Sequence, residues 1–547
     1  MSADLRLGVA ICECGGQIES NLDLEALVTQ VGDLPEVAAT RRFRFGCSPD
    51  GIDALQATIA EEGLDEVLVA GCTPRTLEPR FQAACEQVGF DGNRFKLVDI
   101  REGCAWIHQG KIEAATTKAT DLIRMGIAEL RLRRPHNPTT VEVVPSALVI
   151  GGGIAGMTAG LTLANEGVPV KLVEREASLG GPMHEGRELG NDSLAAMSKA
   201  VYEHPRIDVL LEKETTDVTG TVGRYSISIR SETSRKNGAR EFEVGAIIVA
   251  TGVQPDAETL AFKLGLPRDQ NGLFPSVRQR LRPGHYADRG IYVCGAAHSP
   301  INEHEAEFQG VRAAYSALNH LSAGTAINQA PAAVVNQDLC TGCASCVTAC
   351  PFGAISMYSQ SGLLDEARVD SLLCSACGNC AVACPPRAID LPTSGDAAIF
   401  SQIESALVSR SINGQPRVLV FGCEWSSQLA ADLAGARRLS YPAGIRPIKM
   451  ECSARFDPAF ALWAFHNGAD GVLLTTCPPG ICHYAGGNRH AQIRTETLRT
   501  QLSTSGFDAR RLGLEWVQPD DADGFVDKVS RFSELMVQVP PRRVHAA

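Results

Sequence analysis

Two runs of cysteine dominate the chemistry open to this chain. Cys340-x-x-Cys343-x-x-Cys346-x-x-x-Cys350-Pro351 is followed by Cys374-x-x-Cys377-x-x-Cys380-x-x-x-Cys384-Pro385. Spacings this short let one tight loop wrap three thiolates around a [4Fe–4S] cube, while the fourth cysteine reaches across to a second cube. Cys340, Cys343, Cys346 and Cys384 are therefore expected to hold one cluster, and Cys374, Cys377, Cys380 and Cys350 the other. The alternative is zinc, but zinc sites commonly use two CxxC pairs, not paired quartets each closed by proline. Paired cubes conduct single electrons and do not hydrolyse.

A second constellation binds a dinucleotide. Val149-Ile150 runs into Gly151-Gly152-Gly153-Ile154-Ala155-Gly156 and a helical pattern through Ala164. The glycines allow a tight turn and bring pyrophosphate close to backbone N–H groups at a helix N-terminus. The strand Pro169–Val173 ends at Glu174-Arg175, and Glu174 lies 21 residues after Gly153. A carboxylate there suits ribose hydroxyls and repels a 2′-phosphate, which disfavours NADP. Three further features favour FAD over NAD: Gly180-Gly181, the strand ending in Ala250-Thr251-Gly252, and the strand ending in Cys294-Gly295. They resemble the successive motifs of the thioredoxin-reductase-like flavoprotein fold. No second GxGxxG lies between Glu174 and Gly290, so a nicotinamide domain of the usual kind is not expected.

Cysteines also stand at both ends of the chain. Cys423, Cys452, Cys477 and Cys482 are four thiols in an alternating strand and helix context. Four thiolates suffice for a [2Fe–2S] or a [4Fe–4S] cluster. Buried free cysteines are the competing reading, and spacing alone does not decide. Near the N-terminus the candidates are Cys12, Cys14, Cys47, Cys72 and Cys104, with one of Cys12 and Cys14 spare. Cys85 and Cys294 read as core. His298, His304 and His483 are not needed as ligands where thiolates complete the coordination. No acid, base or nucleophile is singled out as catalytic.

The elements that must position these groups follow from the wider pattern. The chain has 547 residues, enough for three or four domains. Hydrophobic residues make up 44%, so real cores are available. A net charge of −12 argues against nucleic acid and against an anionic membrane surface. No stretch reads as a membrane span, and the N-terminus lacks the features of a secretory signal, so a cytoplasmic protein is expected. Nineteen clustered cysteines then read as metal sites rather than disulfides. Alternating strands and helices predict an α/β unit over 1–135, with strands at Leu7–Ile11, Phe43–Phe45 and Glu66–Ala70. A dinucleotide domain spans 139–323, the double cysteine run 330–395, and a second α/β unit 413–536. In both α/β units cysteines follow apolar strands in the same order. That echo suggests two similar cluster domains, although the match is too short to prove duplication.

These residues resemble a known set. Residues 1 to about 395 are similar to the A-type subunit of heterodisulfide reductase, through CECGG, FGCSPDG, AGCTPR, REGCAWIH, VIGGGIAGM with VERE and SLGG, and the double run of bacterial two-cluster ferredoxin type. Residues 416 to about 536 resemble the delta subunit of methyl-viologen-reducing hydrogenase, through VLVFGCEWSS, YPAGIRPIKMECSARFDP and CPPGICHYAGGN. The implied architecture is α/β multidomain: a thioredoxin-reductase-like FAD domain and a ferredoxin domain, flanked by two α/β iron–sulfur domains. The resemblance implies FAD, one N-terminal [4Fe–4S] cluster on Cys47, Cys72, Cys104 and the Cys12/Cys14 pair, two ferredoxin cubes, and a C-terminal [2Fe–2S] cluster on Cys423, Cys452, Cys477 and Cys482. It implies an electron-transfer subunit between a partner oxidoreductase, hydrogenase or dehydrogenase and a heterodisulfide reductase B/C-like or quinone-linked partner. A homodimer is expected by resemblance only. Fusions of these modules also resemble a subunit of quinone-interacting membrane-bound oxidoreductases. Two departures stand out. The delta subunit usually opens its motif with CxxC, where this chain has Cys423-Glu-Trp-Ser426. Residues 182–290 lack the cysteines of the extra ferredoxin found in larger relatives, which puts in doubt the flavin-based bifurcation that the resemblance otherwise implies.

Overall fold

The first and last units are built on the same plan. In the computed structural model, the strands Leu7–Cys12, Val37–Phe43, Glu66–Gly71 and Phe95–Asp99 form a parallel sheet in the spatial order second, first, third, fourth. The strands Val418–Cys423, Ile445–Met450, Gly471–Thr476 and Leu512–Trp516 form another parallel sheet in the same order. The inner strands are largely apolar and buried along their whole length, as parallel strands covered on both faces must be. The structure describes residues 5–134, 139–181, 191–231, 240–252, 290–328, 331–359, 365–409, 411–484 and 486–540, with a few positions between 260 and 286. Residues 135–138 and the tail from 541 lie outside the described residues.

One expected strand is displaced. The sequence predicts it at Phe43–Phe45, whereas it runs over Val37–Phe43. Its residues are only partly buried, because it lies at the sheet edge, so it carries no apolar run to read.

These two units share one core. Leu7, Ile11, Leu68 and Ile123 pack in the same buried cluster as Phe421, Ile448, Phe460 and Leu474. The long helix Ile112–Leu132 lies against the helix Asp396–Ala406. Beneath them Arg446 donates to Asp121 through Nε at 3.0 Å and Nη2 at 2.7 Å, with both side chains nearly inaccessible. A pair so buried is costly to break, since either partner left alone is an uncompensated charge.

The dinucleotide unit has a six-stranded sheet. Ala147–Ile150 lies between Val170–Val173 and Ala246–Val249, all parallel. Ile291–Val293 and Ile207–Leu210 extend this parallel core, and the antiparallel pair at His285–Tyr286 closes one edge. A separate three-stranded antiparallel sheet spans Lys213–Thr221, Arg224–Ser231 and Arg240–Val244. The ferredoxin unit is small: two five-residue helices, Ser345–Ala349 and Asn379–Ala383, and the hairpin of Ile355–Ser359 with Asp365–Val369. Among the described residues no helix is long and apolar enough to cross a membrane.

Candidate flavin and iron–sulfur sites

The glycine loop is shaped for a phosphate. Gly153 caps the helix Ile154–Asn165, and a Cβ added to Gly153 would meet nothing within 4 Å. Gly151 has φ +109°, and a Cβ there would lie 2.4 Å from the Ala250 carbonyl oxygen. A Cβ on Gly156 would lie 1.9 Å from the Gly151 oxygen. Side chains are thus forbidden where the helix meets the loop, and open space is left where a ligand approaches. Glu174 closes the floor: its Oε2 accepts from Gly152 N–H at 2.5 Å and its Oε1 from Glu176 N–H at 2.8 Å. Arg175 is surface-facing and pairs with Glu176 at 3.6 Å.

The remaining expected residues border the same loop. Gly180 N–H donates to the Gly152 oxygen at 2.9 Å. A Cβ on Gly181 would lie 3.6 Å from Gly153 Cα. Ala250 N–H donates to Ile150 O at 2.8 Å, which sets Thr251 and Gly252 at the strand end beside the loop. Gly295 N–H donates to Gln309 Oε1 at 3.0 Å, and a Cβ on Gly295 would meet Ala155 at 2.8 Å. Sequence reasoning missed Gln309 and Gly310. A Cβ on Gly310 would press 2.5 Å from the Ala155 oxygen, so this glycine lets the helix Glu303–Leu321 seat against the loop helix. Both residues lie in a plain amphipathic helix, which gives no signal of this contact. Cys294 is fully buried, and burial pushes its thiol up to about 12, as suits a core residue.

The two ferredoxin quartets cross over as the spacing requires. Cys340, Cys343, Cys346 and Cys384 line one small cavity, with Ala344, Pro386 and Ile389 among its walls. Cys350 instead joins Cys374, Cys377 and Cys380; burial raises each of these three thiols, and the charge of Cys350 adds to the shift. Backbone N–H groups point at the sulfurs: Ala388 to Cys384 at 3.3 Å, Ala354 to Cys350 at 3.4 Å, and Ala333 to Cys374 at 3.5 Å. Burial and like charges push the Cys377 thiol up to about 12. Bound iron reverses that logic, because a metal deprotonates a coordinating thiol.

At the N-terminus the structure assembles a different set from the expected one. Cys14 N–H and Gly46 N–H donate to Cys12 Sγ at 3.3 and 3.4 Å, and Arg101 Nη1 donates to Cys14 Sγ at 3.0 Å. Cys72 lies within the fields of Cys14 and Cys47. Cys12, Cys14, Cys47 and Cys72 therefore gather at the ends of three parallel strands. Cys104 is not brought to them. It sits in a π-helical turn, Arg101–Ala105, is fully buried, and its Sγ donates to Ala115 O at 3.1 Å. Its charged neighbour is Lys118, itself buried beside His108 and over the Tyr441 ring.

The C-terminal four converge. Cys423 Sγ lies 3.6 Å from Cys477 Sγ, and the neighbouring Cys452 and Cys477 thiols favour the thiolate of Cys482. A Cβ on Gly487 would lie 2.4 Å from Cys452 Sγ, so only glycine lets the helix Gly487–Thr504 start there. Ser426, in place of the second CxxC thiol, turns away and donates to Val517 O at 2.6 Å. Among the described residues no three His, Cys, Asp or Glu side chains stand close enough to hold a single metal ion. Sets of four thiols fit a cluster instead, where each thiolate takes its own iron or shares one of two.

The second ferredoxin quartet and the C-terminal quartet share one buried seam. Cys377 packs with Cys452, Ala454 and Tyr484, and with Phe352 and Trp425 at the margin. His483 stacks on Trp425 at 3.7 Å between ring centres. Arg455 seals the junction, with no exposed side-chain surface, donating to Ser394 O at 2.9 Å and to Asp396 at 2.6 Å.

Three family models match this chain. Residues 131–320 match pyridine nucleotide-disulphide oxidoreductase, residues 333–356 the 4Fe-4S binding domain, and residues 418–539 the delta subunit of methyl-viologen-reducing hydrogenase. The chain is 25% identical to the A-type subunit of the ferredoxin:CoB-CoM heterodisulfide reductase of Methanosarcina mazei, covering 98% of each. The 781 aligned positions exceed the 547 residues here, so part of that relative has no counterpart. It is 38% identical over 233 residues to a protein of Archaeoglobus profundus that is likewise heterodisulfide reductase A-like, covering 42% of this chain and 33% of the relative. Among solved structures, thioredoxin reductase of Lactococcus lactis aligns at 13% identity and a TM-score of 0.26, over 33% of this chain and all of that one. The chain is an oxidoreductase similar to the A-type subunit of heterodisulfide reductase, with an FAD-type domain and a 4Fe-4S ferredoxin motif, and it ends in a hydrogenase delta subunit-like domain.

Proposed function

We propose that this chain is the FAD- and iron–sulfur-containing electron-transfer subunit of a heterodisulfide reductase-like complex, with its delta-like end facing a partner oxidoreductase such as a hydrogenase or dehydrogenase. The observation that carries this reading is the seam between Cys377 and Cys452, which joins the ferredoxin unit to the delta-like unit in one buried cluster. When bound, FAD supplies electron-pair exchange and the clusters supply single-electron steps; the protein contributes placement and tuning. The glycine loop and Glu174 would hold the dinucleotide. Cys340, Cys343, Cys346 and Cys384 would hold one cube, and Cys350, Cys374, Cys377 and Cys380 a second. Cys12, Cys14, Cys47 and Cys72 would hold the N-terminal cluster, and Cys423, Cys452, Cys477 and Cys482 a [2Fe–2S] cluster. Anaerobic reconstitution of the full chain is expected to give about 14 iron and one FAD. Zinc instead of iron, or fewer than about eight iron, defeats the proposal.

A second reading is a subunit of a quinone-interacting membrane-bound oxidoreductase that does not bifurcate. The cysteine-free stretch 182–290 favours it, since electrons have fewer exits there. Co-purification from source cells separates the two: heterodisulfide reductase B/C-like partners support the first, a quinone-linked membrane partner the second.

A further inference from the structure

A continuous run of hydrogen bonds crosses from the ferredoxin unit to the delta-like unit. Asn379 stands two residues after Cys377 in the second loop. The Asn379 side chain is 2% exposed; its Nδ2 donates to Ala349 O at 2.7 Å, and its Oδ1 accepts from Arg494 Nη2 at 2.7 Å. Arg494 Nη1 donates to Ala454 O at 2.5 Å, and Ala454 N–H donates to Cys452 Sγ at 3.4 Å. One guanidinium thus bridges the residue two after Cys377 and the carbonyl two after Cys452, and its charge acts on both thiols. The nearest acid, Asp457, already pairs with Arg387 at 2.8 Å. Arg455 adds a second buried cation alongside.

The position is particular to the second loop. Asn379 and Gly378 stand where the first loop has Ser345 and Ala344. A Cβ on Gly378 would lie 2.5 Å from Arg455 Cδ, so glycine is what admits the delta-like unit against Cys377.

We propose that Arg494 couples the two sites. Its two-pronged guanidinium fixes Cys377 against Cys452, and its charge stabilises the reduced, more negative form of whatever cluster either quartet carries. The step it serves moves one electron from one cluster to the other, one being oxidised and the other reduced, with no proton transferred. The inference rests on the reading that both quartets hold clusters.

The test uses the full chain, reconstituted anaerobically and titrated with dithionite under electron paramagnetic resonance, after iron analysis. Signals are assigned with C343S, which removes the first cube, and C377S, which removes the second. In R494Q the midpoints of the second cube and the C-terminal cluster are expected to fall by about 59 mV, a tenfold change in each one-electron equilibrium. The first cube and the N-terminal cluster stay put. R494K keeps the charge and recovers most of the shift, but loses the fork and weakens the magnetic interaction between the two clusters. R499Q, on the exposed face of the same helix, changes nothing. Wild-type midpoints in fully loaded R494Q overturn the inference, as does an equal shift of every cluster, or reduced iron with unchanged midpoints in the loaded fraction. A wild-type chain that binds no iron sinks the functional reading itself.

Discussion

The first ferredoxin loop reads Cys343-Ala344-Ser345-Cys346 and the second Cys377-Gly378-Asn379-Cys380. Their spacing and backbone are alike, since Ala344 and Gly378 both hold positive φ, at 57° and 74°. Their surroundings differ. Cys343 is exposed, with Leu339 half-exposed nearby in sequence, whereas Cys377 is 8% exposed and covered by the delta-like unit. Two residues between matched cysteines therefore separate a loop that faces solvent from one built into an interface. Spacing specifies the cluster, and the residues between the cysteines specify what the cluster meets.

Removing thiols breaks this contrast most sharply. C377S is expected to lose about four iron and to loosen the delta-like unit, seen as a lower Tm; C343S loses about four iron with little change in Tm. The N-terminal unit offers a parallel contrast: C14S should lose that unit's iron, while C104S keeps it, because Cys104 Sγ faces Ala115 O rather than the other thiols. Iron analysis decides both.

Next in size is the buried cation. R455L removes the donor to Ser394 O and one of the two arginines on Asp396, which keeps Arg387, and should destabilise the protein by up to about 3 kcal/mol in chemical denaturation. An equivalent change beside the first loop, D338A, should stay within about 0.5 kcal/mol.

The smallest effects exchange the loop residues themselves. G378A pushes a methyl into Arg455 and is expected to cost about 1–3 kcal/mol. A344G relieves a left-handed alanine and should stabilise by up to about 1 kcal/mol. Equal effects at the two positions would mean that the interface does not constrain the second loop.

Much of this was legible because it is local. The cysteine quartets close through loops of two or three residues, and their crossover follows from the fourth cysteine of each run. The flavin loop is likewise a strand, a turn and a helix in one stretch. What the sequence hides is long-range. Asp121 and Arg446 meet across 325 positions, and Asn379 and Arg494 across 115. Nothing local marks them as partners. The same limit explains Cys104: it follows a strand end like its neighbours in the motif, but the π-helical turn after Asp99 rotates it into the core shared with the delta-like unit. The echo between the end units was visible only as a shared order of cysteines; the matching strand order makes it a match of architecture.

On this reading the second ferredoxin quartet and the delta-like quartet act as one electronic unit. Electron paramagnetic resonance of the fully reduced, iron-loaded full chain tests that most directly. A magnetic interaction is expected between the C-terminal cluster and a ferredoxin cube, surviving in C343S and vanishing in C377S. An interaction lost in C343S instead, or a C-terminal cluster whose signal is the same with and without either cube, would contradict it.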